Sequence, residues 1–307
     1  MQQIIHKYHK PVLLREVLEG IITTDEKDIY VDVTFGGGGH SAELLKKLAT
    51  EATLLAFDQD QQSIINNTLQ DLRLKIFHRN FRYIENILRI QGIFKVSGIL
   101  ADLGVSSHQL DTPERGFSIR YNQTLDMRMD QRIKKYAKDI LNNYSHESLA
   151  KIFFYYGELR NARKLATYIV YKRKEKTIEN TFELIEIIKN EITGRNKQKF
   201  FAKIFQALRI EVNDELASLK FLLKSVIKIL RKGARIAVIS YHSLEDSLVK
   251  QFFKNGRFEK TPIEDFFGKK KFPFLPISRK PISPQIEEIQ KNPRSRSARL
   301  RIAKKTR

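Results

Sequence analysis

The strongest constraint on the fold is a short segment in which a predicted strand is followed by four consecutive glycines and then by a predicted helix. Residues 29–35 read IYVDVTF, a β-branched and aromatic pattern that is typical of a buried strand. Residues 36–39 are all glycine, and residues 41–48 carry helical spacing. Glycine lets the backbone approach a ligand closely and leaves the first amides of the helix able to donate to it. The segment therefore predicts a strand–turn–helix unit that binds a nucleotide-like ligand.

Further strands and helices alternate on both sides of a long central stretch. The spacing predicts strands at 53–58, 75–78 and 96–102, and helices at 61–72 and 81–90. The alternation resumes with an apolar-periodic segment at 200–230, a strand at 235–240 and a helix at 244–253. Strands that alternate with helices indicate a parallel sheet with crossover connections. We therefore expect an α/β, Rossmann-like fold.

The central stretch and the C-terminal segment have different patterns. Residues 136–189 show helical periodicity and no convincing strand, which predicts an inserted helical domain at 113–205 within a sheet domain formed by 1–112 and 206–307. Residues 256–307 hold six of the eight prolines, and the last 17 residues include eight basic residues and no acidic one. That composition predicts an extended basic tail.

The charge balance points to a polyanionic partner. The chain has 56 lysines and arginines against 35 acidic residues, which gives a net charge of +21. Such a surplus attracts nucleic acid, although biased codon usage also produces lysine-rich chains. The absence of cysteine and of paired histidine spacing predicts no metal site. No signal-like or membrane-length apolar run occurs, so we expect a cytoplasmic protein.

The glycine turn fits two ligands. Residues 37–42 satisfy the G-x-G-x-x-A pattern, and Asp58 follows about 20 residues later, where its carboxylate would accept ribose hydroxyls. Both NAD and S-adenosylmethionine fit this arrangement. The methyl donor is favoured because Asp32 and His40 flank the turn, because no second glycine turn is evident, and because Asp102 leads into a small-residue loop suited to a target amine.

Eight ordered motifs resemble one family, the bacterial MraW or H-type methyltransferases that make N4-methylcytosine in the decoding centre of small-subunit ribosomal RNA. The similarity begins at His9 and runs almost to the C-terminus. The motifs are VDVTFGGGGHS, LADLGVSSHQLD, RGFS, LDMRMD, YGELRNARKLA, FQALRIEVNDEL, ISYHSLEDSLVK and NPRSRSARLR. The sequence departs from the family at 121–124, which lacks the usual acidic-glycine-proline turn, and at 198–204, which lacks the usual proline. Loop geometry on the substrate side is therefore less constrained than the cofactor site.

The resemblance implies an S-adenosylmethionine site, and it assigns roles to individual positions. Three residues of the turn would line the methionine end of the cofactor, Asp58 would hold its ribose, Phe81 would stack near adenine, and two further residues would close the site; the turn residues are Gly38, Gly39 and His40, and the closing residues are Asp102 and Gln109. Asp102 is also the candidate catalytic acceptor. The implied partner is small-subunit ribosomal RNA or the assembled small subunit, with no membrane. The resemblance leaves homodimer formation open.

Several of these residues also have structural interpretations. His40 either caps its helix or touches the ligand, and Asp32 either bonds to the glycine loop or acts in function. His242 either lines the target pocket or belongs to a helix start capped by Ser243. The carboxylates of LDMRMD would form an ion-paired turn. Arg160, Arg163 and Lys164, with Tyr155 and Tyr156 nearby, form either a solvated helix face or an RNA-facing surface.

The resemblance implies methyl transfer from S-adenosylmethionine to the exocyclic N4 amine of a cytosine in 16S ribosomal RNA. Two other classes of protein compete with this interpretation. An NAD-dependent oxidoreductase is disfavoured by the charge and by the missing substrate-site signature. An RNA-binding assembly factor that has lost activity is disfavoured because every expected cofactor-site residue is present.

Overall fold

A computed structural model describes residues 11–22, 28–189, 197–264, 267–268 and 270–306. The chain divides into two compact units, one formed by 1–104 with 216–307 and the other by 105–215. The boundaries predicted at 113 and 206 both fall inside the second unit. His9, where the family resemblance begins, lies outside the described residues. None of the described helices combines the length and the apolar character that crossing a lipid bilayer requires.

Strands and helices alternate in the first third of the chain, and helices predominate in its middle. The strands are β1 Ile29–Asp32, β2 Thr53–Asp58, β3 Leu74–His78, β4 Val96–Asp102, β5 Leu230–Ser240, β6 Ile263–Glu264, β7 Lys270–Lys271, β8 Phe274–Pro276 and β9 Arg299–Lys305. The helices are α1 Leu14–Ile21, α2 Gly39–Lys47, α3 Gln61–Ile65, α4 Ile84–Ile90, α5 Ser107–Asp111, α6 Ala137–Asn143, α7 His146–Tyr155, α8 Ala162–Lys172, α9 Thr181–Ile188, α10 Lys197–Asn213, α11 Glu215–Ile229, α12 Ser243–Asn255 and α13 Ile286–Lys291. Short 3-10 turns cover Phe81–Tyr83, Pro113–Arg115 and Pro293–Ser297.

The first unit is built on a seven-stranded sheet in the order β3-β2-β1-β4-β5-β9-β8. Strands β1 to β5 pair in parallel, whereas β9 is antiparallel to β5 and β8 is antiparallel to β9. The first five positions follow the strand order of a Rossmann sheet. Successive residues of β2 point to opposite faces, so that Leu54 belongs to one buried cluster with α1 and α2, and Leu55 to another with α4, α11 and α12. The sheet is therefore covered on both faces.

Most of the predicted elements are present, although several have different bounds. Strand β4 spans the residues predicted for it. The helix predicted at 61–72 ends at Ile65. The segment at 200–230 is not one helix but two, α10 and α11, because Asp214 between them has a φ of 52°, in the left-handed region that interrupts a right-handed helix.

The prediction of an extended basic tail is wrong for residues 299–305. They form β9, which pairs with β5 on one side and β8 on the other. Leu300 and Ile302 are buried, and Arg301 is buried against the carboxylate of Asp246 in α12. The basic composition of the segment predicted a tail. Its basic side chains alternate with apolar ones, however, and alternation with period two is the pattern of a strand.

The second unit is a cluster of helices, α5 to α10, around its own apolar core of leucines, isoleucines and phenylalanines. The LDMRMD motif is an ion-paired turn within this unit. The Nε and Nη2 atoms of Arg128 donate to the two carboxylate oxygens of Asp126 at 2.7 and 2.8 Å. The side chain of Asn213, at the end of α10, accepts from the amide of Met129 and donates to the carbonyl of Met127, each at 2.7 Å. The ion-paired interpretation of this motif therefore agrees with the structure.

Candidate active site

Three strands of the sheet end in aspartate at the same edge. Asp32 ends β1, Asp58 ends β2 and Asp102 ends β4, and β1 lies between the other two strands with parallel pairing on both sides. The chain order reverses between β1 and β4, because β2 and β3 lie on one side of β1 and β4 on the other. In open parallel sheets, ligands bind in the crevice outside the carboxyl ends at such a reversal.

The glycine turn occupies this crevice and cannot accept side chains at two positions. Gly38 is the N-cap of α2 with a φ of 74°, and a Cβ there would lie 2.8 Å from the ring of Phe35. A Cβ on Gly39 would lie 2.7 Å from the ring of Pro11. Real Cβ atoms do not pack that closely, so both positions require glycine. Glycine at these positions therefore lets Phe35 and Pro11 pack directly against the backbone at the start of α2.

Asp58 is held by backbone amides that leave it able to accept more. Its Oδ2 accepts from the amide of Gly36 at 2.7 Å and its Oδ1 from the amide of Asp60 at 2.8 Å. Burial raises the pKa of Asp58 to about 6, and the two amide bonds oppose that rise. The Ser63 side chain also hydrogen-bonds to this carboxylate, and the acceptor capacity that remains fits a ribose hydroxyl.

Asp32 has a structural role within the turn. Its side chain is buried and accepts from the hydroxyl of Ser41 at 2.7 Å and from the amide of Thr34 at 3.0 Å. The Thr34 hydroxyl in turn accepts from the amide of Asp102 at 2.6 Å. Asp32 thus ties β1 to the start of α2 and, through Thr34, to the end of β4.

Asp102, at the end of β4, is partly exposed at this edge. Its side chain is 23% exposed, and its Oδ1 accepts from the hydroxyl of Tyr241, which directly follows β5, at 2.9 Å. Burial raises the pKa of Asp102 to about 6, and the neighbouring carboxylates of Asp32 and Glu245 add to the rise. The His40 ring and the Tyr241 hydroxyl pull this pKa downward. The carboxyl group is therefore poised to change protonation near neutral pH.

His40 faces Asp102 from inside the first turn of α2. Its Nε2 lies 3.0 Å from the carbonyl oxygen of Val12, and its Nδ1 lies 3.7 Å from Oδ2 of Asp102. A carbonyl oxygen only accepts, so Nε2 carries a proton. Of the two interpretations of His40, the structure excludes the capping one, because Gly38 is the cap.

Phe81 and Gln109 lie in parts of the structure that leave their predicted roles open. Phe81 begins the 3-10 turn after β3, and its ring is partly buried against the core on one face of the sheet. Gln109 belongs to the second unit, where its side chain accepts from the amide of Ser106 at 3.0 Å and completes a capping box at the start of α5. Their contacts with adenine and with the closed site stay predictions.

The sequence analysis did not predict that His242 and Glu245, after the end of β5, position Tyr241. His242, not Ser243, is the N-cap of α12, because its ring nitrogen accepts from the amide of Glu245. The Glu245 carboxylate accepts from the amide of Tyr241 at 2.9 Å. These bonds fix the backbone on both sides of Tyr241 and so hold its hydroxyl toward Asp102. The strand end followed by YHSLED was the only sequence signal for this arrangement.

Comparison with known proteins agrees with this geometry. The model of the MraW methylase family matches residues 6–306. The chain belongs to the MraW methylase family. A protein of Parabacteroides distasonis called ribosomal RNA small subunit methyltransferase H is 52% identical over 300 residues, with 97% of both chains covered. Proteins of the same name from Cytophaga hutchinsonii and Flavobacterium johnsoniae are each 50% identical and cover 97% of this chain, with 99% and 98% of their own lengths matched.

Membership of this methylase family decides between the two ligands that the glycine turn allowed. The chain is an S-adenosylmethionine-dependent methyltransferase with a Rossmann-like sheet. The residues present fit that cofactor. Gly38 and Gly39 form a tight turn at the start of α2, and the Asp58 carboxylate, which bonds to the Gly36 amide of the same turn, can accept a ligand hydroxyl.

Proposed function

We propose that this member of the MraW methylase family transfers a methyl group to the exocyclic N4 amine of a cytosine in the decoding centre of small-subunit ribosomal RNA. The observation that carries the proposal is the placement of Asp58 and Asp102 at the ends of the two strands that flank β1 and its glycine turn. Relatives that are 50–52% identical are named as methyltransferases of this RNA. The net charge of +21 suits an RNA substrate.

Different residues would hold the cofactor and the target. Gly38 and Gly39 would hold the methionine end, Asp58 the ribose, and Phe81 would lie near the adenine. S-adenosylmethionine, once bound, supplies a methyl group on a positively charged sulfur. Asp102 faces the same edge of the sheet from the neighbouring strand, so its carboxylate would meet the incoming base. Close placement of the reacting groups can lower the barrier by several kcal/mol.

Asp102 would act on the amine itself. The lone pair of a cytosine amine is delocalised into the ring, and a carboxylate that accepts an N4–H bond favours the pyramidal amine with its lone pair available. When N4 gains the methyl group, it must lose one proton, and the Asp102 carboxylate can accept that proton because its pKa is raised to about 6. Tyr241 would keep the carboxylate oriented through its bond to Oδ1, and His40 would face the other oxygen.

The experiment that tests the proposal is the mapping of methyl groups on ribosomal RNA. Purified protein with radiolabelled S-adenosylmethionine is offered free small-subunit RNA and assembled small subunits, and the products are digested and analysed by mass spectrometry. We expect N4-methylcytosine at a decoding-centre position on one or both substrates, and far less of it with Asp102→Asn. Absence of methylcytosine on both substrates, or tighter binding of NAD than of S-adenosylhomocysteine in calorimetry, would contradict the proposal.

Two finer points also belong to the proposal. We place the activity in the cytoplasm, where small subunits are assembled. A homodimer stays a prediction, and light scattering on the purified chain with and without S-adenosylhomocysteine measures it.

A further inference from the structure

Exposed aromatic side chains of the second unit are concentrated on two helices. Among the described residues of this unit, six large apolar or aromatic side chains are exposed, and four of them lie on α7 and α8; the four are Phe154, Tyr155, Tyr168 and Tyr171, with 54%, 62%, 37% and 60% exposure. The other two, Tyr121 and Phe182, lie elsewhere in the unit. A concentration of rings that the fold itself leaves uncovered is typical of an interaction site.

The exposed residues of α8 form one stripe. Leu165 and Ile169 are buried in the apolar core of the unit, which turns the opposite side of the helix to solvent. Lys164, Tyr168 and Tyr171 are spaced at i, i+4 and i+7, so they share a face, and Lys172 adjoins them. We name these four residues the α8 stripe.

Each tyrosine of the α8 stripe has a lysine beside its ring. The Nζ atom of Lys164 lies 6.0 Å from the ring centre of Tyr168, and that of Lys172 lies 5.6 Å from the ring centre of Tyr171. The stripe therefore places two aromatic rings between two lysines over about 12 Å of helix. Lysines at this distance can contact a phosphate while the rings stack on bases.

The surrounding charge is strongly positive. Residues 151–176 contain eight basic and two acidic residues. Some of the basic groups are used within the unit, since Arg173 donates to the carbonyls of Leu141 and Tyr144, and Lys172 pairs with Glu175 at 2.9 Å. Lys151, Arg160 and Arg163 are exposed and form no ion pair among the described residues. A polyanion would find complementary charge here.

We propose that the α8 stripe binds a single-stranded segment of the ribosomal RNA substrate, with bases stacked on Tyr168 and Tyr171 and phosphates near Lys164 and the neighbouring arginines. The inference rests on the proposed function, because the RNA is the substrate named there. RNA is favoured over a protein partner because exposed rings interleaved with cations match base stacking and phosphate neutralisation together. A double helix would hide its base faces, so the bound segment is a loop or another unpaired region.

Binding measurements on matched variants test this site. The protein carrying Tyr168→Ala and Tyr171→Ala is compared with the wild type for affinity to a single-stranded ribosomal RNA fragment that contains the target cytosine and to assembled small subunits, across several salt concentrations. Phe182→Ala, which removes a ring of 47% exposure on α9, is the control. We expect each lost tyrosine ring to weaken binding roughly 5- to 100-fold with an unchanged salt slope, because stacking is not ionic. Phenylalanine at both positions should keep most of the affinity.

A charge variant gives a separate result. Lys164→Gln should reduce the slope of log affinity against log salt by about 0.7, the value for one phosphate contact on a single strand. Circular dichroism and binding of S-adenosylhomocysteine check that each variant is folded, and Tyr171→Ala alone replaces the double variant if that protein fails to fold.

The outcomes separate this site from the proposed function. If the wild type methylates ribosomal RNA and the tyrosine variants bind it as tightly as the wild type does, the site is wrong while the function stands. The proposed RNA site would also be overturned if Phe182→Ala lost as much RNA affinity as the tyrosine variants. It would be overturned as well if the tyrosine variants kept their RNA affinity but no longer bound a ribosomal protein. If the wild type methylates no ribosomal RNA, the proposed function fails first.

Discussion

The hydroxyl of Tyr241 donates to Oδ1 of Asp102 across 2.9 Å, although the two residues lie 139 positions apart in the chain. The bond joins the end of β5 to the end of β4, which are neighbouring parallel strands. It favours the charged form of Asp102 against the burial that raises its pKa. The ionisation of the candidate acceptor is therefore set by a partner on another strand.

Replacement of Tyr241 by phenylalanine should move the pH dependence of turnover. With the pKa of Asp102 at about 6, the carboxylate form prevails above that pH, and turnover should fall as the pH drops through it. Loss of the hydroxyl should shift this acid limb upward by about one pH unit, since a hydrogen bond to a charged group contributes about 1.5 kcal/mol or more. The measurement is turnover against pH at saturating cofactor and RNA.

The matched control for that variant is Tyr30→Phe, which removes a hydroxyl-to-carboxylate bond of 3.1 Å to Asp28, near the beginning of β1. Its acid limb should coincide with that of the wild type. Equal shifts in the two variants would mean that general destabilisation, and not the Asp102 contact, moves the profile.

Substitutions of Asp58 and of Asp102 should change different kinetic parameters. In the proposed function Asp58 only binds the ribose, so Asp58→Ala should raise the Michaelis constant for S-adenosylmethionine, and saturating cofactor should restore most of the turnover. Asp102→Asn keeps the size of the side chain and removes its charge, so turnover should fall by roughly one to two decades even at saturation. Wild-type turnover in Asp102→Asn would indicate that this carboxylate only positions ligands.

The pairing of Arg301 with Asp246 should matter to stability and not to RNA binding. Burial alone would raise the pKa of Asp246, but the hydrogen bonds from Arg301 at 2.6 and 3.1 Å bring it below its usual value. Arg301→Met leaves that buried carboxylate without its main partner and should lower the free energy of unfolding by about 3 kcal/mol. Adding Asp246→Leu should recover part of the loss. Urea unfolding measures both, and an unchanged midpoint in the single variant would show that β9 is held by its apolar residues alone.

The glycine turn offers a test with a matched pair of alanine variants. Gly38 and Gly92 both have positive φ, at 74° and 70°, but a Cβ on Gly92 would meet nothing within 4 Å. Gly92→Ala should therefore cost about 1 kcal/mol of backbone strain and leave cofactor binding intact. Gly38→Ala should destabilise the protein further and weaken binding of S-adenosylhomocysteine, because its Cβ would push against Phe35. Thermal unfolding and calorimetry compare the two.

Local patterns predicted much of the sheet and the strand-end positions of two candidate site residues. The bounds of β4 and the positions of Asp58 and Asp102 at strand ends follow from apolar runs that end in a carboxylate. The interior strand β9 was missed because its charged residues mask an alternating pattern, and the partner that neutralises Arg301 lies 55 positions away. The contacts of Asp102 with His40 and Tyr241 were missed for a similar reason. They exist only once the order of the strands is known.

The connection between β4 and β5 has a consequence for how the protein reaches its native state. These strands are neighbours in the sheet, yet about 130 residues separate Asp102 from Leu230, and closing so long a loop carries a large entropic penalty. Collapse of residues 105–215 into their own helical core would shorten the effective loop before the strands pair. Variants that weaken that core should therefore slow refolding of the sheet, even where they touch none of its strands.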